Sequence, residues 1–286
     1  LPFLPNSISP KRLAEGENMK IKWMRLVDKY YNKAPKIRRA ITRIRFKKED
    51  ALVRLLGVDI GINTIRENGY MRAHKLCQKS SLLRDEIPVL SNLSAILRNG
   101  DTFVDIGANV GLFSVYLSRY KNILMDFRIY AFEAHPDTYS RLRENALRHN
   151  FISQNLAISD QKSCLKFVDG AVSHVFTTLE NATNYNIMDE IIEVDCQRLD
   201  QLDIYGNSLI LKIDVEGQEL NVLEGASIFF EENRIKAVYL DGFSQKSKVL
   251  NFLASYDFEL FDGRSLDRCD GNVFSLLALA KNKVIL

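Results

Sequence analysis

Cysteine is scarce. The chain holds four in 286 residues, Cys77, Cys164, Cys196 and Cys269, far apart and without a CxxC pair. That spacing argues against a disulfide framework and a zinc site, and points to reduced thiols in a cytoplasmic protein. Long apolar runs are also missing. None approaches the ~18–20 residues that span a bilayer. Leu1 to Pro10 has no basic segment followed by an apolar one, so no secretory leader is expected, and Met19 offers a natural start. Internal repeats and low-complexity tracts are absent. What remains is the composition of an ordinary folded domain with an extension, 46% hydrophobic and 26% charged.

Charge is unevenly spread. Residues 11–54 carry fifteen Lys/Arg against five Asp/Glu, a local +10 in a chain whose net charge is +3, so the rest is acidic. A basic arm on an acidic body suits an anionic membrane surface, nucleic acid or an acidic partner; the plainer alternatives are a solvated helical face or an oligomer arm. The acidic body argues against a large nucleic-acid footprint, so no nucleic-acid partner is expected. Peripheral membrane contact through residues 11–54 and oligomer formation stay open.

The apolar pattern divides the chain into a basic, mainly helical extension over 1–81 and an α/β domain over 82–286. Residues 19–55 read as helix broken at Pro35, and 56–75 have no single period. Leu82–Leu97 is helical, with Pro88 near its start. Strands then alternate with helices: strand Thr102–Ile106, helix Val110–Tyr120, strand Arg128–Phe132, helix Pro136–His149, strand Phe151–Ile158. An extended, hairpin-rich insertion over 163–195 follows. Next come strand Ser208–Ile213, helix Gln218–Glu231, strand Ile235–Leu240 and helix Gln245–Ala254. An antiparallel pair, Phe258–Phe261 and Val273–Ala280, closes the chain. Such alternation argues for a mostly parallel sheet with helices on both faces.

Three segments carry chemistry. Asp105-Ile-Gly-Ala-Asn-Val-Gly111 follows a strand and opens a helix, where Gly107 and Gly111 allow a tight turn and close approach to a ligand. Its spacing is GxxxG rather than the dinucleotide GxGxxG, and Asn109 would crowd a pyrophosphate. Glu133 at the tip of the next strand can accept both hydroxyls of a ribose; the bland alternative is a surface acid paired with Arg141 or His135. Together these signals specify an adenosyl ligand. The third segment, Leu211-Lys-Ile-Asp-Val-Glu-Gly217, ends an apolar strand in a polar tip. Alternation puts Lys212, Asp214 and Glu216 on one face if the strand continues that far. The alternative is helix-capping acids before the following helix.

These segments, DIGANVG with AFEAHPDTYSRLRENALRHN and KIDVEGQELNVLEGA, closely resemble the FkbM family of methyltransferases over about residues 98–240. The resemblance implies a class I methyltransferase fold, a Rossmann-like seven-stranded sheet whose final strand is antiparallel. It implies S-adenosylmethionine in the turn formed by Asp105, Gly107, Ala108, Asn109 and Gly111, with Glu133 on the ribose. It also implies O-methylation of a sugar or glycan hydroxyl, or of a polyketide-type small molecule. Ser159 or Asp160, after the third strand, stands where related enzymes hold the adenine. His174, in the insertion, is a candidate substrate contact beside the plainer reading of a surface or core histidine. Asp241 stands where much of the family has Glu and is expected to line the cleft.

Asp214 or Glu216 is the leading general base, with Lys212 holding a substrate oxygen or tuning the acids. Alternatively the two acids could bind a divalent cation, so the metal question stays open. A hydride-transferring enzyme is disfavoured by the GxxxG spacing and by Glu133 lying 28 residues after Asp105. A nucleic-acid methyltransferase is disfavoured by the lack of an Asp/Asn-Pro-Pro-aromatic motif. A non-enzymatic nucleoside-binding partner module would not need the polar tip at 212–216.

Overall fold

The computed structural model describes residues 50–76, 81–169, 176–178 and 190–283. The expectations for the basic segment through residue 49, for Cys77 and for His174 lie outside the described residues. Residues 50–286 form one compact unit.

Seven strands make the central sheet, in the order β12-β13-β11-β10-β3-β4-β5. They are β3 (Thr102–Ile106), β4 (Arg128–Glu133), β5 (Ile152–Asn155), β10 (Leu209–Ile213), β11 (Ile235–Asp241), β12 (Phe258–Asp262) and β13 (Ser275–Ala280). Neighbouring pairs from β11 through β5 are parallel, and β13 runs antiparallel to both β11 and β12. The expected class I topology, with its final strand reversed, is what the chain adopts. Chain order reverses between β3 and β10, the switch point at which open α/β sheets bind ligands beyond their strand ends.

The central strands are buried along their length because helices cover both faces, and they are apolar except for Thr102, Asp105 and Lys212 in β3 and β10. Every residue of β3 and β10 is buried. Leu209, Leu211 and Ile213 join Val104, Ile106, Val238 and Leu240 in one core with Leu223, Phe229 and Phe230 from the helices α5 (Glu219–Glu224) and α6 (Ser227–Glu231). One helix over Gln218–Glu231 was expected. It divides at Gly225-Ala226, where a side chain at Gly225 would lie 2.0 Å from the Ser159 carbonyl oxygen, a contact that only glycine permits. The expected helix over Val110–Tyr120 is α3 (Leu112–Leu117), tightening into a 3-10 turn over Ser118–Asn122.

Four further corrections concern elements. Residues 50–63, read as helix and then as ambiguous, are an antiparallel hairpin of β1 (Asp50–Leu55) and β2 (Val58–Asn63). Its alternation of buried and exposed residues has period two, which the sparse apolar stripe concealed. Helix α1 (Asn68–Leu76) follows. Helix α2 (Ser81–Ile96) matches the helix expected over Leu82–Leu97, with Pro88 in its interior rather than in its first turn. The third strand breaks after Asn155, and β6 (Ala157–Ile158) joins a second sheet with β7 (Ser163–Asp169), β8 (Phe176–Thr178) and β9 (Glu190–Gln197), the hairpin-rich insertion.

Asn145, on α4 (Pro136–His149), fastens the hairpin to the domain. Fully buried, it accepts from the Gly61 amide at 2.7 Å and from Arg148 Nη1 at 3.0 Å, and donates to the carbonyls of Gly61 (3.0 Å) and Val110 (2.8 Å). Nearby, Arg141 and Glu67 form a buried ion pair at 2.8 Å. Truncating Asn145→Ala strands the amide and carbonyl of Gly61 and removes a bond to the glycine turn. We expect a loss of about 2–4 kcal/mol, from ~1–3 kcal/mol per stranded buried group. Denaturant unfolding measures it, and a loss below about 0.5 kcal/mol, the size of an ordinary surface substitution, would refute this role.

Candidate active site

Strand register brings the first and third motifs together. Lys212 lies directly beside Asp105 on the neighbouring strand. The Lys212 ammonium is 3.3 Å from Asp105 Oδ1 and 3.3 Å from Asp214 Oδ2, and donates to the Gly107 carbonyl at 2.9 Å. Ser114 Oγ donates to the other oxygen of Asp105. Burial works against the Lys212 charge, but Asp214, Asp105, Asp241 and Glu86 outweigh it and hold its pKa well above the ordinary range. Lys212 thus joins two strand tips through its buried ammonium, and it lines neither of the cavities at the site.

Gly107 has φ +70°, and a Cβ there would lie 1.9 Å from the Asp214 carbonyl oxygen. The backbone amides of Gly107 and Ala108 both donate to Phe132, and that of Asn109 donates to Glu133 Oε2 at 2.8 Å. Asn109 itself is left-handed, at φ +54°, a conformation that Asn tolerates. The second oxygen of Glu133 accepts from the His135 amide at 2.9 Å. Glu133 is therefore no surface acid. Burial raises its pKa and the two amides pull it back, while Arg141 is engaged by Glu67 instead.

Two cavities meet here. The first runs past Gly107, Asn109, Glu133, Ser159, Asp214 and Glu216, with an apolar wall of Leu156, Ile158, Leu165 and Phe167. The second, about 390 Å³, lies between α1, α2 and the strand tips and includes Tyr70, Glu86, Asp241 and Arg264. Asn109 and Asp214 line both. Asp105, Ala108 and Gly111 support the turn without lining either cavity. Asp160 accepts from Ser159 Oγ at 3.0 Å and from Asn221 at 3.3 Å, and so steadies Ser159.

The strand does not extend to Glu216. It ends at Ile213, and Glu216 turns left-handed at φ +49°. Glu216 thus reaches the first cavity from an exposed turn and not by alternation. The following helix has no side-chain cap bond; buried Glu219 in its first turn instead accepts from the Gly217 amide at 2.7 Å and from the Ser244 amide at 3.0 Å. Partial burial, then Asp214, Glu219 and Asp241, push Glu216 up to about 7. Desolvation first, and Asp241 next, raise Asp214, against the pull of Lys212.

Sequence reasoning missed Glu86. It lies on α2 before the glycine turn and belongs to no motif. Burial, Asp241 and Asp214 push it up to about 8, against Lys212 and Arg264. It missed Leu165 and Phe167 as well, although their alternation in β7 was visible. Among the described residues, no group of three or more His, Cys, Asp or Glu is arranged to hold a metal ion. No described helix is long and apolar enough to cross a membrane.

A glycine turn at the switch point, an acid at the tip of the next strand and a reversed seventh strand define a class I methyltransferase domain of the Rossmann-like kind. Residues 105–260 match the model of the methyltransferase FkbM domain. The chain belongs to the FkbM methyltransferase family, whose methyl donor is S-adenosylmethionine. It is 29% identical over 150 residues to hexuronic acid methyltransferase AglP of Haloferax volcanii, a match covering 50% of this chain and 57% of that protein. A crystal structure of methyltransferase FkbM from Methylobacillus flagellatus aligns with a TM-score of 0.46 at 17% identity, over 67% of this chain and 47% of that one. The tRNA (uracil-54, C5)-methyltransferase of Pyrococcus abyssi aligns at 0.39 and 14%, over 81% and 44%. The chain thus spans less than two thirds of each of these proteins.

Replacing Lys212 by Met leaves Asp105 as a buried carboxylate without a counter-charge. A loss of about 3–5 kcal/mol is expected, the usual result of breaking a buried pair from one side. The double change Lys212→Met with Asp105→Leu should recover part of it. Urea midpoints compare the two, and equal midpoints for Lys212→Met and the unaltered chain would exclude the clamp.

Proposed function

We propose that this protein is an O-methyltransferase that moves the methyl group of S-adenosylmethionine to a sugar hydroxyl. The carrying observation is that two cavities meet at Asn109 and Asp214, one suited to a nucleoside and the other lined by polar side chains. The hexuronic acid activity of the archaeal relative supports a sugar as acceptor.

The first cavity fits the adenosyl part of the cofactor. Glu133, fixed by two backbone amides, keeps carboxylate lone pairs for ribose hydroxyls. Leu156, Ile158, Leu165 and Phe167 offer apolar walls to a flat base, with Ser159 as a polar contact. When bound, the sulfonium supplies an electrophilic methyl carbon, so the protein mainly aligns the acceptor oxygen and excludes water. Asp214, held by Lys212, orients that hydroxyl where the cavities join. Glu86 takes its proton: it lines the acceptor cavity and titrates near working pH, which suits a general base. Asp241 on the same cavity is a further acceptor contact, and Glu216 is the competing base.

Calorimetry should show S-adenosylhomocysteine binding that is lost in Glu133→Ala; undiminished affinity would remove Glu133 from the cofactor site. Transfer of labelled methyl to a panel of glycans and neutral and acidic sugars tests the acceptor. Labelling only of polyketide-like small molecules would overturn the sugar reading.

A base must be unprotonated, so kcat should rise with pH and level off above about 8, the value for Glu86. Glu86→Gln should lower kcat by about 10²–10⁴-fold and abolish that limb. A limb near 7 that disappears in Glu216→Gln would transfer the role to Glu216.

A further inference from the structure

The acceptor cavity holds more positive charge than its own ion pairs use. Three arginines line it. Arg66 is already engaged: its Nη2 lies 2.5 Å from His135 Nε2, and its Nη1 is 4.0 Å from Asp137. Arg264 stands over the Phe274 ring and is 3.5 Å from Asp85, yet its Nε is buried without a hydrogen-bond partner. Arg72, on α1, makes no hydrogen bond or ion pair among the described residues, and its Nη1 is also buried without a partner. A half-buried guanidinium on a cavity wall with its donors unspent is costly unless something fills them.

We infer that Arg72, with Arg264 beside it, is the recognition site for an anionic group on the acceptor. The inference rests on the sugar-hydroxyl reading and narrows it to an acidic sugar. The guanidinium fork matches a planar carboxylate through two parallel hydrogen bonds, and sulfate or phosphate presents comparable oxygens. Five acids line the same cavity, and none forms an ion pair with Arg72 among the described residues. Asp85 faces Arg264, Glu67 is taken by Arg141, Asp214 faces Lys212, Asp241 accepts from the Tyr239 hydroxyl, and Glu86 is the base that must stay free for the acceptor hydroxyl. An acceptor gripped at its acidic end by Arg72 would extend toward Asp214, which lines both cavities, with its hydroxyl nearest the cofactor.

The test uses the full chain loaded with S-adenosylhomocysteine, titrated with p-nitrophenyl β-D-glucuronide and the matching neutral glucoside. Glucose 6-sulfate and glucose 6-phosphate, against glucose, distinguish which oxyanion is preferred. The glucuronide, or one of the other two anionic sugars, should bind at least about 10-fold more tightly than its neutral counterpart. Arg72→Gln should weaken that anion-dependent binding by about 10- to 100-fold, the size of a hydrogen bond to a charged group. Arg72→Lys should restore part of it. Affinity for S-adenosylhomocysteine, which occupies the other cavity, reports that each variant is folded. Equal binding of the acidic and neutral members of every pair, or an anion preference unchanged in Arg72→Gln, would overturn the inference. Methylation of neutral sugars with no anion preference would overturn it while leaving the sugar reading intact. Anion-dependent binding lost in Arg72→Gln, with methyl passed to no sugar, would overturn the sugar reading and with it the acidic sugar as acceptor.

Discussion

One buried ammonium holds the site together. Lys212 sits in register with Asp105 at the point where the sheet changes direction, and joins Asp105, Asp214 and the Gly107 carbonyl. Removing a charge from water costs several kcal/mol, offset only by close and well-placed partners. Lys212 has three, so β3 and β10 must end within reach of one another. Their approach is so close that position 107 admits no side chain. From Gly107 a hydrogen-bonded path continues through Phe132 and Asn109 to Glu133 on the next strand. The glycine turn, Glu133 and Asp214 therefore form one connected unit.

That cation also orders the carboxylates around it. Asp105 is buried against it, Asp214 is bonded to it at the junction of the cavities, and Glu86 and Asp241 feel its charge across the cleft. For Glu86 and Asp214, burial raises the pKa and Lys212 pulls it back.

The acceptor side is assembled differently. Its walls come from residues before the glycine turn, on α1 and α2, and from Arg264 and Phe274 near the end of the chain. The hairpin that precedes α1 is fixed to the domain by Asn145 and by the Arg141–Glu67 pair. The first cavity rests on adjoining strand tips. The acceptor side depends on tertiary docking, which lets the same catalytic sheet serve different acceptors.

Local pattern was enough to determine the alternation of strands and helices, the reversed last strand, the glycine turn, Glu133 and the polar tip at 212–216. Each depends on period, turn chemistry or spacing within a few residues. The tertiary structure alone decided the rest. Lys212 became a clamp because strand register set it beside Asp105. Glu216 left the strand face because the chain turns left-handed after Ile213. The hairpin at 50–63 was concealed because its pattern takes on meaning only against α4. Glu86 and Arg72 belong to no motif: burial among other charges distinguishes the first and a buried donor without a partner the second, and both exist only once distant segments have met.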